Sequence, residues 1–176
     1  MMWLFIISDA LTFAGLLTAY SMMRAISPNW PDQSRVFDMG LITFMTFALI
    51  SSSATMAMAV GSARTGNRKL ALNFLLLTIA GGLIFLGSQA YEWTHIILQG
   101  ATPFSNPWNV PQFTACFFVI TGFHGLHVSI GVIALLIVSL MAYRGNDSPN
   151  RIETAGLYWH FVDIVWVFIF AFFYLF

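Results

Sequence analysis

"PQFTACFFVITGFHGLHVSIGVIALLIVSLMAY", Pro111 to Tyr143, runs for 33 residues without an Asp, Glu, Lys or Arg. A spanning helix needs about 20 predominantly apolar residues, so this stretch is long enough to cross a bilayer and to tilt or protrude as well. Within it, "TGFHGLHVSIG" places His124 and His127 three apart. The question it raises is why a segment otherwise fit for lipid carries two imidazoles.

Working outward, the whole chain has the same character. It has 176 residues, 59% hydrophobic, 16% aromatic and only 8% charged. Soluble domains carry about 25% charged residues, so the composition points to an integral membrane protein. Five apolar segments are expected, roughly 2–24, 37–60, 69–98, 111–143 and 152–176. The third and fourth exceed the bilayer thickness. The breaks between them are polar or proline-rich: "RAISPNWPDQSR" (24–35), "GSARTGNRK" (61–69), "GATPFSNPWNVP" (100–111) and "YRGNDSPNR" (143–151). The fold class is therefore an all-α membrane protein with five transmembrane helices in a single bundle. No linker, repeat or low-complexity tract divides it, so residues 1–176 are expected to form one domain.

The N-terminal segment lacks a positive n-region and is interrupted by Asp9, so it reads as a mature helix rather than a signal peptide. Net charge is zero, which gives no basic footprint for nucleic acid. The lone Cys116 has no partner for an intrachain disulfide. Loop charges suggest an orientation. Arg64, Arg68, Lys69, Arg144 and Arg151 fall on one side, and Arg24 and Arg35 on the other. Basic loops stay in the cytoplasm, which puts the N-terminus inside and the C-terminus outside.

Ionisable residues in a spanning helix cost about 2.5–3.5 kcal/mol each on insertion scales and usually face protein or water. The candidates are Asp9, Gln89, Glu92, His95, His124, His127, Glu153, His160 and Asp163. Residues three or four apart share a helix face. Gln89 aligns with Glu92, and His124 with His127. Glu153, His160 and Asp163 align on the last segment. A polar seam joining the third, fourth and fifth segments would let each group find a partner.

Metal binding is a second reading, since His and carboxylate ligate transition metals together. Bundle di-iron sites need a Glu-x-x-His on each of two helices with glutamates from two more, and only Glu92–His95 has that spacing here; HExxH is absent. A proton role is the third, and it concerns Asp9 most. In "FIISDALTF" no cation lies near it in sequence, so it exchanges a proton or hydrogen-bonds a neighbouring helix. Trp3, Trp30, Trp93, Trp108, Trp159 and Trp166 lie mostly near segment ends, where interfacial belts account for several. Gly81–Gly82 and Gly122–Gly125 allow close helix approach. No GxSxG, P-loop, dinucleotide fingerprint or CxxCH appears.

"FFVITGFHGLHVSIGVIAL" followed by "ETAGLYWHFVDIVWVFIFAFFYLF" closely resembles subunit III of the haem–copper terminal oxidases. "QAYEW" (Gln89 to Trp93) and "FIISDALTFAG" (Phe5 to Gly15) resemble further elements of that family, in family order and across nearly the whole chain. Longer members have seven spanning helices, and this chain resembles the last five. The buried Glu of the family's matching helix is Asp9 here, one methylene shorter.

The resemblance implies a non-catalytic subunit of a respiratory terminal oxidase in the bacterial cytoplasmic (inner) membrane. Such a subunit packs against subunit I, with subunit II and further subunits in the complex. Haem and copper sit in those partners and none on this chain. It implies bound phospholipid in a cleft near Asp9, and support of assembly, proton uptake and lasting turnover. Gln89, Glu92, His124, His127, Glu153, His160 and Asp163 are then expected as a structural polar network. Related chains accompany quinol oxidases and nitric oxide reductases, which is the alternative within the family. A stand-alone proton or small-molecule transporter is the alternative outside it, against which stands the lack of internal symmetry and broken helices.

Overall fold

The computed structural model describes residues 2–104, 107–108, 110–145 and 148–175, and at residues 34 and 35 the backbone alone. The tips of the 100–111 and 143–151 connections, and the last residue of the fifth expected segment, lie partly outside these. Five long helices are present. They are α1 (Met2–Ile26), α3 (Met39–Arg64), α4 (Arg68–Leu98), α5 (Pro111–Tyr143) and α6 (Pro149–Ile169), which continues as a wider π turn over Phe170–Leu175. One short turn of helix, α2 (Gln33–Val36), interrupts the first connection. No strand occurs among the described residues. All five long helices have the length and apolar character to cross a bilayer.

Local chemistry sets the ends. The Asp38 carboxylate accepts from the Gly40 and Leu41 amides at 3.0 and 3.3 Å and caps α3. Asn67 does the same for α4 through the Leu70 amide at 3.3 Å. Pro111 and Pro149 open α5 and α6, where a missing N–H costs nothing. Gly66, at φ +76°, turns the chain back between α3 and α4, a conformation that suits glycine alone.

The four helices α3, α4, α5 and α6 close into a ring, α3 against α4, α4 against α5, α5 against α6 and α6 back against α3. The helix α1 lies outside the ring and packs mainly on α5, α6 and the π turn. Small residues allow the ring to close. A Cβ on Gly82 would lie 2.6 Å from the Trp159 ring and 2.8 Å from Val132. One on Gly81 would lie 2.7 Å from Ser52. This is the close approach expected of the Gly81–Gly82 pair. Gly122 packs on Trp93, whereas Gly125 faces open space.

Trp159 and Trp166 are fully buried in the ring and are not interfacial. Each indole N–H is matched by a hydroxyl on α3: Trp159 donates to Ser52 at 3.1 Å and Trp166 to Thr46 at 3.0 Å. Those hydroxyls remove the usual reason for a tryptophan to stay at the wet boundary.

Candidate functional site: interhelical polar contacts

The polar residues singled out from the sequence do not form one seam through α4, α5 and α6. They split into separate contacts, and the partners come from α1, α3 and the π turn as much as from the expected helices.

The central contact joins α1 to α5. Asp9 Oδ2 lies 3.0 Å from His127 Nε2, across 118 residues of chain. Both side chains are largely shielded, His127 at 7% exposure and Asp9 at 15%. His127 Nδ1 lies 2.8 Å from the carbonyl of Phe123, one turn earlier on α5. A carbonyl only accepts, so Nδ1 carries a hydrogen. The contact with Asp9 then needs one more proton, shared between Nε2 and the carboxyl. A neutral imidazole accepting from a carboxylic acid and an imidazolium donating to a carboxylate both satisfy it. Either way the pair has no net charge, which is the form a membrane interior tolerates. Tyr158 on α6 donates to the His127 carbonyl at 3.1 Å, and Phe13 and Phe123 close over the imidazole edge-on at 5.4 and 4.6 Å. Three helices thus meet at one histidine.

His124 does not join this contact. It is fully buried, neither ring nitrogen has a hydrogen-bond partner among the described residues, and it packs between Phe85 and Trp166 at 5.6 and 5.2 Å. The reason is geometric. Three residues along a helix rotate by about 300°, leaving the two imidazoles about 60° apart. That is enough to aim one at α1 and the other into the ring.

The remaining residues fall into three groups. On α4, Gln89 Nε2 and the Tyr174 hydroxyl both approach Glu92 Oε2 at 3.4 Å. His95, one turn on, is exposed and meets Gln99 at 3.4 Å. On α6, His160 Nδ1 lies 2.7 Å from the Ser53 hydroxyl of α3. Asp163 is buried beside the same serine, yet neither of its oxygens completes a hydrogen bond among the described residues. Glu153 leaves the expected network altogether. It is exposed and pairs with Arg64 at 2.6 Å at the helix ends. Seven-residue spacing put it on the His160 face, but it sits in the first turns of α6, outside the buried span. Ser52, Ser53, Thr46, Tyr158 and Tyr174 are partners that the search for ionisable residues passed over.

Among the described residues, no group of three or more His, Cys, Asp or Glu side chains is placed to hold a metal ion. Cys116 is a free, half-buried thiol. Two apolar grooves flank α1. One, of about 440 Å³, runs between α1 and α6 and is lined by Ala10, Phe13, Leu17, Phe161, Val165 and Phe168. The other, of about 710 Å³, runs between Met2 and Phe5 and the α5–α6 face at Ile130, Ala134 and Tyr158.

Five apolar spanning helices stitched pairwise by hydroxyl, indole and imidazole contacts define a multi-pass helical membrane protein built for packing. Comparison with known proteins makes this specific. The family described as cytochrome c oxidase subunit III matches residues 1–176, and the chain belongs to it. The cytochrome c oxidase subunit 3 of Synechocystis sp. is 35% identical over 179 residues, covering 98% of this chain and 72% of that protein. A probable quinol oxidase subunit 3 of Staphylococcus aureus is 32% identical over 173 residues, covering 96% of this chain and 84% of that one. The chain is thus a subunit III of the haem–copper oxidases and works within a multi-subunit complex of an oxidoreductase family.

Proposed function

We propose that the chain folds as one domain and serves as the non-catalytic subunit III of a respiratory oxidase in the bacterial cytoplasmic membrane. Its N-terminus lies inside and its C-terminus outside. It packs directly against subunit I, with subunit II in the same complex, and haem and copper belong to those partners. The complex reduces dioxygen to water and moves protons. This chain supports its assembly, its bound lipid and its proton uptake.

The observation that carries this reading is the family match along all 176 residues. The Asp9–His127 pair supports a part for α1. It fastens an otherwise lightly packed helix beside two apolar grooves shaped for acyl chains. In this reading Gln89, Glu92, His124, His127, His160 and Asp163 hold the bundle in register, and phospholipid fills the grooves along α1. The electron donor has two candidates, cytochrome c and quinol, because relatives of similar identity carry both names.

A mild-detergent pull-down from native membranes tests the proposal. Co-purified haem and a large polytopic partner are expected, and donor assays on that material choose between cytochrome c and quinol. A colourless chain running alone or as a homo-oligomer would overturn it.

A further inference from the structure

Glu92 is a buried carboxyl that the interhelical contacts explain only at one oxygen. It is 96% buried, since only 4% of it is exposed. Two donors, Gln89 Nε2 and the Tyr174 hydroxyl, converge on Oε2. Oε1 has no hydrogen-bond partner among the described residues. A buried oxygen left unpaired is costly, and ordered water is the usual remedy where a polar space exists.

Such a space is present. A cavity of about 50 Å³ is lined by Val36, Asp38, Leu41, Tyr91, Glu92 and His95, together with Phe37 and Ile96. A single water needs roughly 10–15 Å³ on this measure, so a few waters fit. The rim residues Asp38, Tyr91 and His95 are exposed, so the cavity leads from Glu92 to the end of the bundle that carries the 27–38 and 99–110 connections. Glu92 stands six residues before Leu98, about 9 Å below that end. The titratable groups around it are Asp38 at the α3 cap, Tyr91 and His95 on α4, and Tyr174 on the π turn.

We infer that Glu92 is a proton-exchange site, served by a water-filled cavity whose rim is Asp38 and His95. With Oε2 approached by two donors, Oε1 is the oxygen left to carry the proton of the neutral acid, and Glu92 lines the cavity. The Oε1–H bond breaks toward a cavity water, which becomes hydronium. The proton leaves to His95 or to bulk water, and the carboxylate remains on Gln89 and Tyr174. The reverse sequence reloads it. Gln89 and Tyr174 hold the carboxyl in place and are positioning residues. The site is independent of the Asp9–His127 contact and of whether the complex uses cytochrome c or quinol.

The test is infrared difference spectroscopy on the intact oxidase complex in H2O and D2O. A protonated carboxyl band should vanish in Glu92→Gln and shift in Glu92→Asp, which assigns it. In the native complex the band should take up deuterium within the mixing time. In Leu41→Phe, which fills the cavity but keeps the carboxyl, uptake should slow by about tenfold or more. If Glu92→Gln fails to assemble, the Glu92→Asp shift still makes the assignment. A Glu92 band that stays protonated in D2O over hours, the absence of any Glu92-dependent band, or uptake unchanged by Leu41→Phe would each overturn the inference.

Discussion

The ring of α3 to α6 and the outlying α1 are both apolar helices of spanning length, but they are fixed in different ways. On α1 only Ile6, Phe13 and Tyr20 are buried, one residue every seven along a single stripe. Its polar attachments are Asp9 to His127 and, near the other end, Tyr20, whose hydroxyl meets Gln33 at 2.9 Å and the Phe173 carbonyl at 3.5 Å. The ring is held all round by glycines pressed on Trp159, indoles donating to α3 hydroxyls, and Thr55 meeting Thr78 at 2.8 Å. Lipid is as apolar as leucine, so burying leucine does not drive helices together in a bilayer. Close packing and hydrogen bonds must do it. The ring has both in depth, and α1 has a stripe and a few polar contacts.

The largest effect should come from breaking the ring. Trp159→Ala removes a fully buried indole that Gly82 and Gly131 are shaped to receive, and with it the N–H that the Ser52 hydroxyl accepts. A buried Trp→Ala change typically costs about 3–5 kcal/mol. The subunit should lose a large part of its thermal stability in detergent and drop out of the purified complex. If it stays, the ring is not the rigid part of the molecule.

His127→Leu should act on α1 and leave the ring intact. It removes the partner of Asp9 and leaves a carboxyl in the membrane unmatched. Interhelical hydrogen bonds in membranes average about 0.6 kcal/mol and reach about 1.7, so a loss of about 1–2 kcal/mol is expected. Hydrogen exchange should rise along residues 2–26 and stay unchanged along 39–64. The double variant with Asp9→Leu should recover part of the loss, because an unpaired buried group costs more than an absent pair. Uniform exchange across both regions would erase the distinction between them.

The number of spans was legible because the bilayer demands about 20 apolar residues; the limits shifted from 37–60 to Met39–Arg64 and from 152–176 to Pro149–Leu175, because caps such as Asp38 and Pro149 set helix starts that apolarity alone does not mark. Family membership was legible in short polar signatures such as "TGFHGLHV". The facing of each helix was not. In a soluble helix, polarity marks the outer side. Here both sides are apolar, so nothing in the pattern singled out Trp159 and Trp166 as core. Long-range partners were equally hidden. Nothing near Asp9 in sequence announces His127, and Glu153 matched the spacing of His160 while lying at the helix end.

Asp9→Asn sharpens the α1 contact at smaller cost. With Nδ1–H held by the Phe123 carbonyl, neutral His127 offers Nε2 as an acceptor, and an asparagine amide donates to it. The hydrogen bond survives while the shared proton is lost. Assembly should remain intact and stability should fall by about 0.6 kcal/mol or less. Any turnover defect in the assembled complex then reports the proton itself. Failure to assemble would show that the charged form of the pair holds α1.

The smallest effect is expected at Arg64–Glu153, although its 2.6 Å separation is shorter than the 2.7 Å contact of Ser53 with His160. Both side chains are about half exposed, at 61% and 48%. Ion pairs in that setting contribute about 0–1 kcal/mol, because water screens the charges and two long side chains must be ordered. Arg64→Gln should therefore leave α3 and α6 packed and shift stability by about 0.5 kcal/mol or less. Raising the salt concentration should move the native subunit as little. A loss as large as that of His127→Leu would mean that the pair is shielded in the assembled complex, where a charge without its counter-ion is far more costly. Comparing the same substitution in the free subunit and in the complex separates the two cases.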